Sequence, residues 1–347
     1  MTLSERHTAL GAMLANDGIP LHYGDQRREY AAALSAAVLM DRSHEGRLLL
    51  TGRDRLSIIH RISTNDVESL PVGAGRATIF TNPNARVLDR ATVYALAPER
   101  AFVSTEPGRG DALRVYLQRN VFFNDDLRIT DLSGERRQFV LHGPSADRVI
   151  AAAYPAAAGL PVLGCIELDD LIITRDKALS GSHWRVFPHT DQAVSVWDHL
   201  IASGAPLGPI PAGSLTYNVL RISVARPGVG RELTADYIPL ELGLWDEVSF
   251  KKGCYTGQEI IARMESRGRI AKTIVALELD ALINAPAPLL HDGREVGTLT
   301  SSVTEPVHGV HYGIGLVKIA QAEIGQVLSV NTATARVTRL PGAQPPA

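Results

Sequence analysis

With two cysteines in 347 residues, the chain has too few thiols for a disulfide framework, and Cys165 and Cys254 fit a reducing, cytoplasmic compartment better than an extracellular one. An excess of one charge is missing too. The 35 Lys and Arg stand against 37 Asp and Glu, and a net charge of −2 gives no general pull toward nucleic acid or an anionic membrane. No apolar run approaches the roughly 18 residues of a membrane span. The first residues carry Glu5, Arg6 and His7 among their apolar positions and fit neither a signal peptide nor a spanning helix. There is no Walker loop, and Gly108-Arg109-Gly110 lacks the third glycine and the acidic ribose partner of a dinucleotide fingerprint. His44 has no second histidine at metal spacing, and His308 and His311 make no zinc pattern with either cysteine, so no permanent metal site is expected. His44 itself reads either as a hydrogen-bonded structural residue or as a group facing a ligand.

What remains is a globular composition, 45% hydrophobic and 21% charged, in a length that suggests two or three domains at roughly 100 to 200 residues each. Residues 4–16 are helix-compatible and Asp17-Gly18 supplies a stop. Arg47 to Gly52 reads as a short strand ending at glycine. Asp54 can then cap a helix with Leu56, Ile59 and Ile62 on one face. Gln138 to Pro144 with the helix through Ala153 repeats that strand–turn–helix unit, which suggests two related halves. Asp111 to Arg119 reads as a helix, Thr190 or Asp191 as the cap of the helix holding Trp197, and 204–213 as a loop. Beyond Arg269 short segments at Thr273–Leu279, Gly297–Val303, Gly313–Val317 and Val327–Val330 suggest a small antiparallel barrel.

The chemically richest stretch is Lys252-Gly253-Cys254-Tyr255-Thr256-Gly257-Gln258-Glu259. Thr256 and Glu259, followed by Ile260 and Ile261, have the spacing of a capping box. Cys254 would then sit just outside a positive helix end with Lys251 and Lys252 upstream, surroundings that favour a thiolate. A free cysteine also packs as a small hydrophobe, and the residues leave both roles open. Cys165, beside the apolar run Leu171–Ile173, reads as the inert kind.

That stretch, together with Asp41 to Arg47, Thr51 to Arg55, Ser63 to Asp66 and Gly297 to Ser301, resembles the folate-binding YgfZ proteins, relatives of the glycine-cleavage T-protein, an aminomethyltransferase. The resemblance implies an α+β fold: a three-domain, T-protein-like plate with two related α/β domains and a C-terminal antiparallel β-barrel. The boundaries fall at 1–135, 136–268 and 269–340, with 341–347 a tail. It implies tetrahydrofolate or a derivative as cofactor, with contacts at Asn82, Asp89, Arg226, Glu232, Tyr255 and Gln258. Cys254 and Lys252 become the catalytic candidates, and iron–sulfur client or carrier proteins the partners. Glu232 and Arg226 read equally as a solvated ion pair on a loop.

The chain departs from the T-protein pattern at three places. T-proteins carry an Asp-Asp pair whose second carboxylate sits beside the reacting folate nitrogen; the matching positions here are Asp89 and Arg90. A guanidinium stays protonated and cannot act as that acid or base, which argues against glycine-cleavage aminomethyl transfer. T-proteins also have an aspartate where this chain has Cys254, and a glutamate where it has Ser223. The expected function is therefore a folate-binding protein that supports maturation or repair of iron–sulfur enzymes through Cys254. The alternative is a folate-dependent one-carbon transferase.

Overall fold

A computed structural model describes residues 1–204, 208–267 and 270–342. The expected tail beyond Gly342 and the centre of the expected 204–213 loop lie outside the described residues, as does Arg269. The chain forms two compact units, one of Met1–Ile59, Val67–Arg76 and Ala91–Tyr217, the other of His60–Asp66, Ala77–Arg90 and Asn218–Ala347.

The first unit holds a six-stranded sheet in the order Cys165–Leu168, Leu171–Asp176, Ser182–Phe187, Phe139–Gly143, Val38–Asp41, Ile210–Pro211. All neighbours are antiparallel except the last pair, so part of the expected 204–213 loop is a strand laid parallel on Val38 and Leu39. One sheet face, with Leu39, Phe139, Leu141, Trp184 and Val186, packs on the helices Ala146–Ala153 and Ala193–Ser203 through Val149, Ile150, Trp197 and Leu200. A five-stranded sheet runs in the order Gly75–Thr81, Val87–Ala97, Arg100–Pro107, Glu45–Thr51, Arg128–Asp131. Both anticipated strand–turn–helix units are present, as Glu45–Thr51 with Arg55–Ile62 and Phe139–Gly143 with Ala146–Ala153.

Local differences from the sequence reading have local causes. The N-terminal helix spans only Leu3–Ala9, because Gly11 turns left-handed at φ 85° and Ala12 N–H closes onto His7 O. Asp17-Gly18 is instead the turn of the hairpin Met13–Leu14 and Pro20–His22, with Ile19 N–H donating to Asp17 Oδ1. Asp54 precedes its helix, but its carboxylate accepts from Arg53 and from Asp126 N–H. Neither Thr190 nor Asp191 caps the Trp197 helix. Its cap position is Gln192, without a side-chain bond, and Thr190 Oγ1 donates to Gly134 O.

His142 and His183 lie opposite each other on paired strands, buried, with ring centroids 5.6 Å apart. Among the described residues the ring nitrogens of His142 have no hydrogen-bond partner, and burial lowers its pKa from 6.5 to about 4. The unfolded chain therefore takes up a proton first. The stability that neutral His142 secures is complete above pH 6.5 and is lost as pH falls from there toward 4, by about 3 kcal/mol. In urea titrations at pH 7.5 and 4.5, His142→Leu should lose that much less stability than the wild type; an equal loss would refute the assignment.

The second unit contains a closed six-stranded barrel in the order Lys272–Leu279, His311–Lys318, Arg294–Thr304, Ala287–His291, Val327–Val330, Ala333–Arg339. Its interior is filled by residues such as Val275, Leu277, Leu289, Leu299, Leu328 and Val337. The four segments anticipated from sequence are all barrel strands. Ala287–His291 and Ala333–Arg339 complete the closure.

Candidate functional site

All eight residues singled out from sequence belong to the second unit, where the structure sorts them into two groups. The first forms where the loop Trp245–Gly257 meets the turn at Asn82–Ala85 and the segment Ser63–Asp66. Asn82 Oδ1 accepts from the backbone N–H of Asn84 and Arg86, at 2.9 and 3.0 Å, and so holds the turn. Thr81 Oγ1 reaches across to Thr256 O at 2.5 Å. Gly257 makes the approach possible. Its φ is +85°, and a Cβ there would stand 2.7 Å from Asn82 O and 2.8 Å from the Ala85 Cα.

That contact also explains why the expected capping box does not form. The helix begins at Gln258, so the left-handed Gly257, not Thr256, precedes it, and Gln258 Oε1 accepts from Tyr255 N–H at 3.3 Å. Gly257→Ala adds a left-handed strain of roughly 1–2 kcal/mol to a backbone clash. We expect a visibly lower melting temperature for that variant; an unchanged one would show that the turn and loop separate freely.

Lys252 directs its ammonium to the carbonyl oxygens of His60, Ser63 (2.7 Å) and Asn65 (3.1 Å). Its three N–H donors are thereby engaged with backbone, and the amine stands 5.2 Å from the centre of the Tyr255 ring. Tyr255 is buried with Ala85, Ile238, Leu240, Trp245, Val248 and Ile261, and burial pushes its phenol up to about 12. Cys254, between these two anchored residues, is exposed. Cys165 is 3% exposed and its thiol is pushed up to about 12 by burial and, to a lesser degree, by Glu167. The inert role read for Cys165 stands.

Asp89 and Arg90 are both buried, and Asp89 Oδ1 accepts from Arg90 N–H at 3.0 Å. The Arg90 guanidinium forks onto Glu247, Nε to Oε2 at 2.7 Å and NH2 to Oε1 at 2.6 Å, with Glu247 only 3% exposed. Thr64 Oγ1 donates to Glu247 O at 2.7 Å, and Asn65 Nδ2 to Asp246 O at 3.1 Å, so Ser63–Asp66 also holds the backbone carrying that acid. Sequence reasoning found Arg90 but missed Glu247. The available signal was the need of a buried guanidinium for an acid, which names no position.

The second group lies between the helix end at Ser223 and the barrel. Glu232 is fully buried, and the solvated loop pair is overturned. Its carboxylate accepts from Thr300 Oγ1 (2.6 Å), Ser301 Oγ (2.7 Å) and Gly228 N–H (2.9 Å), and its ion pair is with Arg221 at 3.4 Å. Arg226 contributes its carbonyl oxygen to Arg221, at 3.5 Å. Of the expected folate contacts, Glu232 therefore serves the chain's own backbone and barrel. Among the described residues no group of three or more His, Cys, Asp or Glu is placed to hold a metal ion, and no helix is long and apolar enough to cross a membrane.

Among the described residues, His44 Nδ1 in the first unit has no hydrogen-bond partner, so the hydrogen-bonded reading gains no support at that nitrogen. Burial, with Arg42 nearby, lowers its pKa to about 4.

The sequence matches the family described as GCVT N-terminal domain over residues 3–252 and the glycine cleavage T-protein C-terminal barrel domain over 272–343. It is 31% identical to “Putative transferase At1g60990, chloroplastic” of Arabidopsis thaliana, across 92% of this chain and 74% of that one. Identity to the aminomethyltransferase of Bacillus subtilis (strain 168) is 25%, across 90% and 88%. The fold is that of the glycine cleavage system aminomethyltransferase T from Bartonella henselae, with a TM-score of 0.84 at 23% identity over 99% of this chain and 98% of that one.

Proposed function

The chain belongs to the glycine cleavage T-protein family, and from that premise we propose that it binds tetrahydrofolate or a derivative as a folate-dependent one-carbon transferase acting on a methylated or aminomethylated amine. What supports the reading is kinship with aminomethyltransferases along nearly the whole chain. The observation that shapes it is the Arg90–Glu247 fork. Where the family resemblance expects a second carboxylate, this chain has a guanidinium committed to a buried acid. Neither member of that pair can exchange a proton without leaving the other charge buried alone. Proton transfer is assigned to Asp89, the other acid of the motif. Bound folate would supply the carrier of the one-carbon unit, with Asp89, Arg226 and Asn82 holding it. The test is formation of 5,10-methylenetetrahydrofolate from an aminomethylated amine, with release of ammonia and the parent amine, or of 5-methyltetrahydrofolate from a methylated amine, with release of the demethylated amine. Asp89→Asn should abolish it while folate still binds; a fully active Asp89→Asn protein would exclude this chemistry.

A second reading is favoured by the exposed thiol of Cys254 on a loop anchored at both sides. In it, the protein is a cytoplasmic YgfZ-type factor that binds folate and assists maturation or repair of iron–sulfur enzymes. One thiol cannot supply the four cysteine ligands of a stable cluster, so the cluster would be shared with a client or carrier. Cells lacking the protein separate the two readings. Restoration of iron–sulfur enzyme activities by the wild type but not by Cys254→Ala supports the second, and equal restoration by both removes the thiol from the mechanism.

A further inference from the structure

In the second unit, a cavity of about 440 Å3 opens between the end of the helix Ser214–Ser223 and the barrel. Its walls include none of the residues of the cysteine loop or of the Asn82 turn. Asn218, Arg221, Arg231 and Asn284 line it with nitrogen donors, while Ile222, Leu282 and Val303 give it an apolar side. Among the described residues no Asp or Glu lines it.

The charges do not cancel. Arg221 is balanced by the buried Glu232, and it is pinned by Asn218, whose Oδ1 accepts from Nε at 2.8 Å. Its guanidinium lies against Gly228, where a Cβ would meet Cζ at 2.9 Å, so this arginine is held in one place. Having given its oxygen to Arg221, Asn218 has its NH2 group to offer a ligand. Arg231 adds one positive charge that no acid of the cavity wall matches. A volume of this size lies within the roughly 300–1,000 Å3 of small-molecule sites, which are mostly apolar with a few placed polar groups.

We propose that this cavity binds a small organic monocarboxylate, its carboxylate taken by Arg231 and the amides of Asn218 and Asn284, its apolar body lying on Ile222, Leu282 and Val303. The single unmatched charge selects one carboxylate. A phosphate dianion would retain a negative charge without a partner in a half-enclosed site. This site is independent of the folate reading, since it shares no residue with the proposed folate contacts.

Calorimetric titration of benzoate into the full chain, without folate and at low ionic strength, tests it, with inorganic phosphate titrated alongside. Benzoate should bind once per chain and more tightly than phosphate. Arg231→Gln, at an exposed position, should keep the wild-type melting temperature and weaken benzoate about tenfold or more, the loss of one charge-assisted bond. Asn284→Leu should weaken it as well. No benzoate binding to the wild type, tighter binding of phosphate, or wild-type affinity in Arg231→Gln would each overturn the proposal.

Discussion

Arg90→Ala should destabilise the folded chain by about 3–5 kcal/mol, because it strands the carboxylate of Glu247 in a site with almost no access to water. The Arg90 fork supplies two short charge-assisted bonds to that carboxylate. Glu247→Ala should cost a similar amount for the mirror reason. The double variant Arg90→Leu with Glu247→Leu should recover much of the loss, since two apolar side chains leave no charge behind. Urea titration of the two singles and the double gives the coupling directly; additive losses would mean that the pair does not act as a unit. Arg90→Asp, which copies the acid that the family resemblance expects there, should be the least stable of the set. It faces Glu247 with a second buried negative charge. Restoring the motif alone should therefore not create a glycine-cleavage enzyme.

Lys252→Met has the second large expected effect. Methionine matches the length of the lysine stem but has no donor, so the carbonyls of His60, Ser63 and Asn65 lose the ammonium that now satisfies all three. At roughly 1.5–3 kcal/mol for a hydrogen bond to a charged group, and with partial rehydration of the carbonyls, a loss of about 3 kcal/mol is expected. Hydrogen exchange should show more. Protection at Ser249, whose N–H donates to Thr64 O, and at Tyr255 should fall further than in the barrel strands, because the loop would come free before the unit unfolds. Uniform loss of protection would show instead that Lys252 carries no local anchoring.

How far the sequence told this story depends on the range of the interaction. Leu48–Leu50 with Leu56, Ile59 and Ile62, and Phe139–Leu141 with Val149 and Ile150, are decided by short apolar runs and helical spacing within about twenty residues. They were legible. The four barrel segments were legible for the same reason, whereas Ala287–His291 and Ala333–Arg339, which complete the barrel, were not read, although the second alternates between buried and exposed positions. The helix caps at Thr256 and Thr190 were misread for different reasons: the left-handed Gly257 separates Thr256 from a helix that begins at Gln258, and the Thr190 hydroxyl is drawn to Gly134 O. At the site, Lys252, Tyr255, Asn82 and Asp89 stood out in the motif. The partners that give them their roles are 157 positions away in the chain for Arg90 and between 187 and 192 for Lys252. Spacing arguments cannot reach that far.

The contrast between the two thiols has a practical side. Cys165 is shut inside the first unit and holds its proton, while Cys254 stands exposed on the anchored loop. A maleimide dye should therefore mark the native chain at one position and take up a second equivalent only after denaturation. The protein carries a ready fluorescence reporter beside the Lys252 clamp, so loop motion and the two proposals, folate binding and client docking, can be tested by anisotropy without introducing a new cysteine.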